Sequence, residues 1–475
     1  MTSQIPAMNS DIALANLREE RVYETNNNGG TSDGLRRRFR TRGDSLREYT
    51  VPDADRGKDA WLFLAGCFMV EALIWGECRC TLSSWAKLIN EIGFPISFGV
   101  FQEYYTTHEP FSSNPSGVAI IGTSSTGIMY LSCPILFAAF RHWPQIRRSC
   151  LLIGLVINSL AIFAASFSTQ VFHLILTQGV LYAIGGVLIY CPTIGFLDEW
   201  FIKKKGMAFG MMWAGTGVSG IVLPFIMSEL LSKFGFRTTL RAYGVASVLL
   251  ASPLLLFIRP RLPLAHTQSH RRLDMKFLRS SIFWVPQACN IIQGLGYFMP
   301  TIYLPSYAES QGLTAAQGTL MLALVNMGVV FGAMGTGALI DRMHVSSVMA
   351  LSSIGAAMAV FIFWGLSLSL PMLCVFSIMY GLTAGGFTAT YSGIVQSVRD
   401  RDITADSGMV FGFLAAGRGI GAIASGPLSE TLVHLQMWKG KAMFGYGTGY
   451  GLLIVFTGTT AVAGCGSWLL RRINM

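Results

Sequence analysis

Arg418 and Glu71 are ionisable residues that lie deep inside long apolar stretches of the chain. In helices that rise ~1.5 Å per residue, Arg418 lies about 18 Å beyond Asp406 and Glu71 about 15 Å beyond Trp61. Ionisable groups at membrane depth mark binding sites or proton relays, and a guanidinium binds a carboxylate through two parallel hydrogen bonds. The two residues predict a site for an anionic solute, with Glu71 as counter-ion of the empty site or as proton carrier. For each, a purely structural role is the alternative.

Polar and aromatic residues in other apolar stretches are further candidate contacts for such a solute, although each also fits ordinary helix packing. These residues are Asn290, Gln293, Tyr297, Asn326 and Tyr380. The sequence has no nucleophile with a matching general base, no Cys/His spacing typical of a metal site and no phosphate-binding P-loop. We therefore expect no enzyme activity, no cofactor and no metal.

The composition places these residues in a membrane protein. Of 475 residues, 52% are hydrophobic and only 13% are charged, whereas soluble domains carry about 25% charge. The formal net charge is +10, and many of the arginines lie in residues 1–57, a predicted disordered cytoplasmic tail. A basic run beside a membrane domain favours anionic lipid over nucleic acid. Membrane lipid is therefore an expected partner, and nucleic acid is not.

Twelve apolar stretches are candidates for crossing a membrane, which takes about 20 residues. A polar loop at 259–281 separates two sets of six, so we expect one six-helix bundle at 58–258 and another at 282–475. The stretches are Trp61–Gly76, Val118–Phe140, Cys150–Phe167, Val171–Leu197, Gly206–Leu230, Thr239–Ile258, Phe283–Tyr303, Gly318–Ile340, Val345–Leu366, Pro371–Val395, Gly408–Leu432 and Gly447–Leu470.

The positions of lysine and arginine predict the orientation, because basic loops stay on the cytoplasmic side. The basic loops at 141–148, 203–205, 259–279 and 399–401 all fall on one side if twelve helices alternate. Two opposite loops, which contain Lys233 and Lys439 among others, go against this majority. The pattern predicts that both termini lie in the cytoplasm, and we expect the membrane to be the plasma membrane.

The segment Trp200–Gly210 joins a basic turn to a helix in which Gly206 and Gly210 allow close approach of a neighbouring helix. It resembles the signature that opens the fifth helix in the monocarboxylate transporter branch of the major facilitator superfamily. Gly337–Arg342 resembles the superfamily's loop after helix eight. Asp55–Trp61 resembles, with a partial match, the Asp-Gly-Gly-aromatic-x-Trp motif that opens the branch's first helix.

The resemblance, which is strongest to fungal members, implies an all-α polytopic membrane protein with twelve transmembrane helices in two six-helix bundles. It further implies a monomer that moves a small organic solute by alternating access. Asn326 and Val330 replace the Asp and Arg typical of proton-coupled lactate carriers, so lactate–proton symport does not carry over. We expect secondary active or facilitative transport of a monocarboxylate or related organic anion, with a coupled proton left open. A transporter-fold sensor without net transport is the alternative.

Charged residues near helices five and eight predict a gate. Asp341 is expected to accept hydrogen bonds from free N–H groups at the start of a neighbouring helix, where the helix dipole favours negative charge. Arg342 is expected to pair with a carboxylate across the interface. Lys203, Lys204 and Lys205 are expected to anchor the same end at anionic headgroups. These contacts would latch the cytoplasmic side in the outward-open state.

Residues 77–93 interrupt the first apolar stretch with four charged side chains. Removing these 17 residues joins Trp61–Gly76 to residues 94–101 in one stretch of 24 residues, the length of a membrane-spanning helix. The 17 codons make 51 nucleotides, which keep the reading frame, and Gly76 to Cys78 can be encoded with a donor splice site. We interpret 77–93 as a retained intron or foreign insertion, and a true extracellular or re-entrant loop is the alternative.

Sequencing of the mature transcript tests this interpretation. We expect a dominant mRNA that lacks the 51 nucleotides, and we expect the chain without 77–93 to transport better than the chain as written, because its first helix is continuous. A dominant mRNA that retains all 51 nucleotides and encodes a fully active product would contradict it.

Overall fold

The computed structural model describes residues 52–75, 101, 104–105, 108–112, 117–262 and 274–468, together with 36–37 and 49–50. The chain divides into two units, Met1–Asp53 and Ala54–Met475. In the first unit, two-residue strands β1 (Arg36–Arg37) and β2 (Tyr49–Thr50) pair antiparallel, with Arg36 opposite Thr50. Both strands fall within the predicted tail. The predicted insertion at 77–93 lies outside the described residues.

The first half of the second unit is helical. One helical run, Lys205–Leu255, changes direction at Gly235, whose backbone angles (φ 72°, ψ 168°) are not helical. Its two arms are α5 (205–234) and α6 (236–255). Ahead of them come α1 (Lys58–Trp75), α2 (Val118–His142), α3 (Ile146–Ala165) and α4 (Val171–Trp200), the last with a π-helical segment at Ile175–Leu181.

The second half repeats the helical pattern, and several of its helices begin at side-chain caps. The Ser280 side chain accepts from Ile282 N, Thr314 and Gln317 form a reciprocal capping box, and Asp406 accepts from Met409 N. After a 3₁₀ turn at Lys276–Arg279 follow α7 (Ser281–Ser310), α8 (Ala315–Ile340), α9 (Val345–Trp364), α10 (Leu370–Arg401), α11 (Ser407–His434) and α12 (Gly451–Ala463).

Nine helical runs within the described ranges are long and apolar enough to cross a membrane: α2 to α4, Glu229–Leu255 (which contains α6), α8 to α11, and α12 when counted to Trp468. α1 has 18 residues that include Lys58, Asp59 and Glu71. α7 contains three prolines as well as the polar residues Gln287, Asn290 and Gln293. An all-helical membrane bundle is therefore confirmed, and the count of twelve spanning helices stays a prediction.

Arginine and lysine residues gather at one end of the bundle, where α2, α4, α8 and α10 finish and α3, α5, α9 and α11 begin. We call it the basic end. It also holds the largest apolar cluster of the described residues, to which both halves contribute, for example Trp200 and Phe209 from the first and Phe411 from the second. Apolar packing therefore joins the two halves below a charged surface.

Glycines bring the backbones of α5 and α8 into direct contact. A Cβ atom on Gly206 would lie 2.5 Å from the carbonyl oxygen of Gly337, and one on Gly210 would lie 2.3 Å from that of Ala333. The α2–α11 contact is similar, since a Cβ on Gly412 would lie 3.1 Å from the backbone of Pro134. These two seams, α5–α8 and α2–α11, join the first six helices to the last six.

Gly337→Ala tests the α5–α8 seam. The new Cβ would lie 2.3 Å from the carbonyl oxygen of Gly206, so the helices must separate, at a cost of about 1–3 kcal/mol. We expect a lower midpoint of thermal unfolding in detergent. Gly335→Ala on the same helix is the matched control, because its Cβ would meet nothing within 4 Å. Equal midpoints for the two variants would contradict the close seam.

Candidate functional site

Arg418 lies near the middle of α11 and is only 2% exposed. Its guanidinium donates a hydrogen bond to the side-chain oxygen of Gln293 on α7. It also lies over the ring of Tyr297, 4.2 Å from the ring centroid, with Phe298 and Phe387 at 5.5 and 6.0 Å. The structure thus brings together three residues that the sequence singled out, and it adds two phenylalanines that the sequence did not distinguish from ordinary packing residues.

Small residues on α11 let the guanidinium lie between the two halves. A Cβ on Gly421 would lie 2.9 Å from the backbone of Gly294 on α7, and one on Gly419 would lie 2.9 Å from Cβ of Tyr130 on α2. A guanidinium has five N–H donors. Gln293 accepts one hydrogen bond from Arg418, and the Tyr297 hydroxyl also interacts with its guanidinium. Donors are therefore left over for a bound anion.

Tyr380 of α10 supports the aromatic wall of this site. Its ring stacks on that of Tyr297 at 6.4 Å, and its hydroxyl donates to the backbone oxygen of Tyr297 at 3.0 Å. Tyr380 is buried. It therefore fixes the ring that Arg418 lies on.

The two predicted asparagines hold helices together. Asn290 donates to the carbonyl oxygen of Leu414 on α11 at 2.8 Å and accepts from the hydroxyl of Tyr391 at 2.8 Å. Asn326 donates across the α5–α8 seam to the carbonyl oxygen of Gly220 at 3.2 Å. Both amides are committed to protein partners, and a direct solute contact by either stays a prediction.

Glu71 lies in α1 and is 3% exposed. Within the described part of the chain its carboxylate has no hydrogen bond or ion pair, so it is not paired with Arg418 in this structure. Tyr130 of α2 lies within electrostatic range of both Glu71 and Arg418. The two predicted charges therefore flank a tyrosine that sequence reasoning missed, because an aromatic residue in an apolar helix carries no distinguishing signal.

Asp341 follows α8 and binds the start of α5. Its Oδ1 accepts from Gly206 N at 2.7 Å and its Oδ2 from Met207 N at 2.9 Å. The contact predicted for Asp341 is therefore present, and it joins the two halves at the basic end. Partial burial raises the pKa of the Asp341 carboxyl above its ordinary value, while the two N–H donors act in the opposite direction.

Asp55 binds the N–H groups immediately ahead of these. Its carboxylate accepts from Ile202, Lys203 and Lys204 at 3.0–3.1 Å. Asp55 and Asp341 together bind five backbone N–H groups at the start of α5, where a negative charge is favoured. Sequence reasoning saw Asp55 only as part of a motif.

The other predicted gate residues take different positions. Lys205 Nζ pairs with Asp198 Oδ1 of α4 at 2.5 Å, so this lysine holds α4 to α5. Lys203 and Lys204 are exposed at the basic end. Arg342 is exposed and forms no ion pair with any described residue, so the predicted pairing across the interface is not seen there.

A second charged contact joins the two halves at the α2–α11 seam. Arg141, at the end of α2, pairs with Asp406 at 2.6 Å, and Asp406 also caps α11 by accepting from Met409 N at 3.0 Å. The loop after α2 has no acid to match Asp341. The α11 side supplies the acid, and α2 supplies the cation.

Comparison with known proteins places this arrangement in a family. The family model described as Major Facilitator Superfamily matches residues 98–426 and 288–474. The chain belongs to this superfamily. The MFS-type transporter pynF of Aspergillus niger is 25% identical over 398 residues, 82% of this chain and 86% of that protein. The agnestins efflux protein AgnL12 of Paecilomyces divaricatus is 25% identical over 364 residues, 74% of this chain and 80% of that protein.

Solved structures of the superfamily share the fold. The nucleoside transporter NupG aligns with a TM-score of 0.57 at 14% identity, over 88% of this chain and 100% of that chain. The human organic anion transporter MFSD10 aligns with a TM-score of 0.58 at 12% identity, over 87% and 99%. As a member of the Major Facilitator Superfamily, the chain is a multi-pass membrane transporter of small solutes.

Asp341→Asn tests the latch between α8 and α5. The amide keeps one acceptor oxygen but loses the charge. Loss of the charge-assisted hydrogen bond costs roughly 1.5 kcal/mol, which shifts the equilibrium about tenfold toward opening at the basic end. We expect a cysteine introduced at the buried basic-end position Val398, which does not line a cavity open to that end, to react correspondingly faster with a membrane-impermeant thiol reagent. Arg342→Gln is the matched control, since Arg342 is exposed next to the latch. Unchanged labelling in Asp341→Asn would remove Asp341 from gating.

Proposed function

We propose that the protein is a secondary transporter of organic anions, of the monocarboxylate-transporter-like type, which carries a carboxylate past Arg418 by alternating access. The observation that carries this proposal is the buried guanidinium, which has a neutral amide as its hydrogen-bond partner within the described residues. A buried charge without a counter-charge is costly. A bound anion offsets that cost, so the site favours anionic solutes over cations.

The aromatic residues around Arg418 favour solutes that carry an apolar group as well as a carboxylate. Tyr297, Phe298 and Phe387 face the guanidinium, and the faces of aromatic rings attract both cations and apolar groups. The carboxylate binds the guanidinium, and the apolar body packs on the rings. A relative of this chain is an agnestins efflux protein, and a structural neighbour is an organic anion transporter, which supports the same substrate class and export as the direction.

Glu71 is the proposed carrier of a coupled proton. It is buried and lacks a hydrogen-bond partner among the described residues, and it lies with Arg418 around Tyr130. Carboxyl groups in membrane spans commonly serve as proton relays. Proton and anion then occupy opposite sides of the interface between the halves and influence each other through Tyr130.

The remaining parts of the proposal concern topology. Twelve helices cross the plasma membrane in a monomer, with the basic end and both termini in the cytoplasm, because loops rich in lysine and arginine stay on that side. The latches at Asp341 and at Arg141–Asp406 then close the cytoplasmic side. A sensor that keeps the fold without net flux is the alternative, and a flux measurement separates the two.

Substitutions of Arg418 test the anchor. In vesicles that contain the purified protein, Arg418→Ala should reduce uptake of a labelled aromatic carboxylate by about 10–100-fold, the value of a charge-assisted hydrogen bond. Arg418→Lys should recover little, because an ammonium lacks the planar fork that binds a carboxylate in two places. Glu71→Gln should remove the dependence of uptake on an imposed pH gradient.

Arg241→Ala is the control for these variants. Arg241 also lies over a phenyl ring, that of Phe167 at 4.7 Å, but it belongs to α6. Wild-type uptake by Arg418→Ala at matched protein levels would show that Arg418 does not bind the transported anion. Saturable binding without flux in the wild type would favour the sensor.

A further inference from the structure

A cavity of about 490 Å³ opens at the basic end between the two halves. Its walls are the ends of α2, α4 and α10 and the start of α11, and its inner wall includes Phe137, Phe209 and Phe411. Pockets of 300–1,000 Å³ are the usual size for drug-sized ligands. The cavity is thus much larger than a simple short-chain acid requires.

Three arginines and three acidic side chains line this cavity, but they do not all pair with one another. Arg141 pairs with Asp406 at 2.6 Å, and Arg147 pairs with Glu199 at 2.7 Å. Arg399 of α10 also lines the cavity, and among the described residues it has no ion pair or hydrogen bond. The remaining acid, Asp198, is held by Lys205 at 2.5 Å, so Arg399 is the cation left over.

Aromatic side chains connect the cavity with the region of Arg418. The ring of Phe411 lies 5.9 Å from that of Phe209 and 5.6 Å from that of Tyr391. The Tyr391 hydroxyl binds Asn290 of α7, one helical turn from the Gln293 that holds Arg418. Aromatic side chains in the inner wall of the cavity therefore separate the basic end from Arg418.

We propose that this cavity is a loading site for an amphipathic organic anion, which it binds before the anion reaches Arg418. Arg399 binds the carboxylate, and Phe137, Phe209 and Phe411 contact the apolar body. The same carboxylate competes with Asp406 for Arg141, so loading breaks the ion pair that joins α2 to α11. This proposal rests on the proposed transport of organic anions and narrows their class to molecules with a sizeable apolar body.

Protection of an introduced cysteine measures binding in the cavity without any flux. Ser407 lines the cavity, so Ser407→Cys in the purified, reconstituted protein is labelled with a membrane-impermeant maleimide in the presence of 1-naphthoate. We expect 1-naphthoate to slow the labelling, and acetate at the same concentration to do so far less. In Arg399→Gln the half-protecting concentration should rise about tenfold, the value of a charged hydrogen bond.

Arg401→Gln is the matched control, because Arg401 is exposed on the same helix two residues further on and does not line the cavity. Absence of protection by 1-naphthoate in the otherwise wild-type chain would overturn the loading site. So would an equal half-protecting concentration in Arg399→Gln and Arg401→Gln.

Flux of the same probe separates this proposal from the proposed function. We expect Arg399→Gln to raise the half-saturating 1-naphthoate concentration about tenfold when the probe is offered at the basic end, and to leave it unchanged from the opposite side. Arg418→Ala should lower flux from both sides. If Arg399→Gln leaves the half-saturating 1-naphthoate concentration unchanged from both sides while Arg418→Ala abolishes flux, the loading site is wrong and the role of Arg418 as the anion-binding residue stands. If protection depends on Arg399 while no organic anion is transported, the proposed function is wrong and the cavity site stands.

Discussion

The buried guanidinium of Arg418 is the constraint around which the rest of the bundle is arranged. A cation in a water-poor interior needs polar and aromatic partners, and α7 supplies them through Gln293 and Tyr297. Glycines on α11 then allow this helix to approach both α7 and α2. The charge consequently lies at the junction of the two halves, where a change in their relative position changes its surroundings.

The basic end solves a related problem with backbone groups. The first N–H groups of a helix have no partner within the helix. In the first turn of α5, Asp341 at the end of α8 binds two of these N–H groups, and Asp55, which precedes α1, binds the N–H groups just ahead of the helix. The satisfaction of a local hydrogen-bonding requirement therefore also joins the halves. Movement of α8 away from α5 would expose these polar groups to water, so the hydrogen bonds define the closed arrangement of the proposed gate.

Much of this arrangement could be predicted from the sequence, because the signals were local. Apolar stretches fixed most helices to within a few residues, and Arg418 and Glu71 stood out as charges within them. Gln293 and Tyr297 are four residues apart, so a helix places them on one face. The features that could not be predicted from the sequence depend on contacts between distant segments. Arg141 and Asp406 are 265 residues apart. Phe387 and Tyr130 approach Arg418 only when α11 packs against α10 and α2, so the sequence alone does not identify them as part of the site.

The two seams differ in how substitutions can reach them. At α5–α8, the donors are backbone N–H groups, which every residue except proline provides, so the identity of the side chains at 206 and 207 matters only for space. The latch is lost mainly through position 341. At α2–α11 both partners are side chains, 18% and 32% exposed, and a change at either one breaks the pair. Ionic strength weakens partly exposed pairs as well. The acid of the α5–α8 latch therefore has no partner side chain that a substitution could remove, whereas the α2–α11 contact depends on two side chains and weakens with salt.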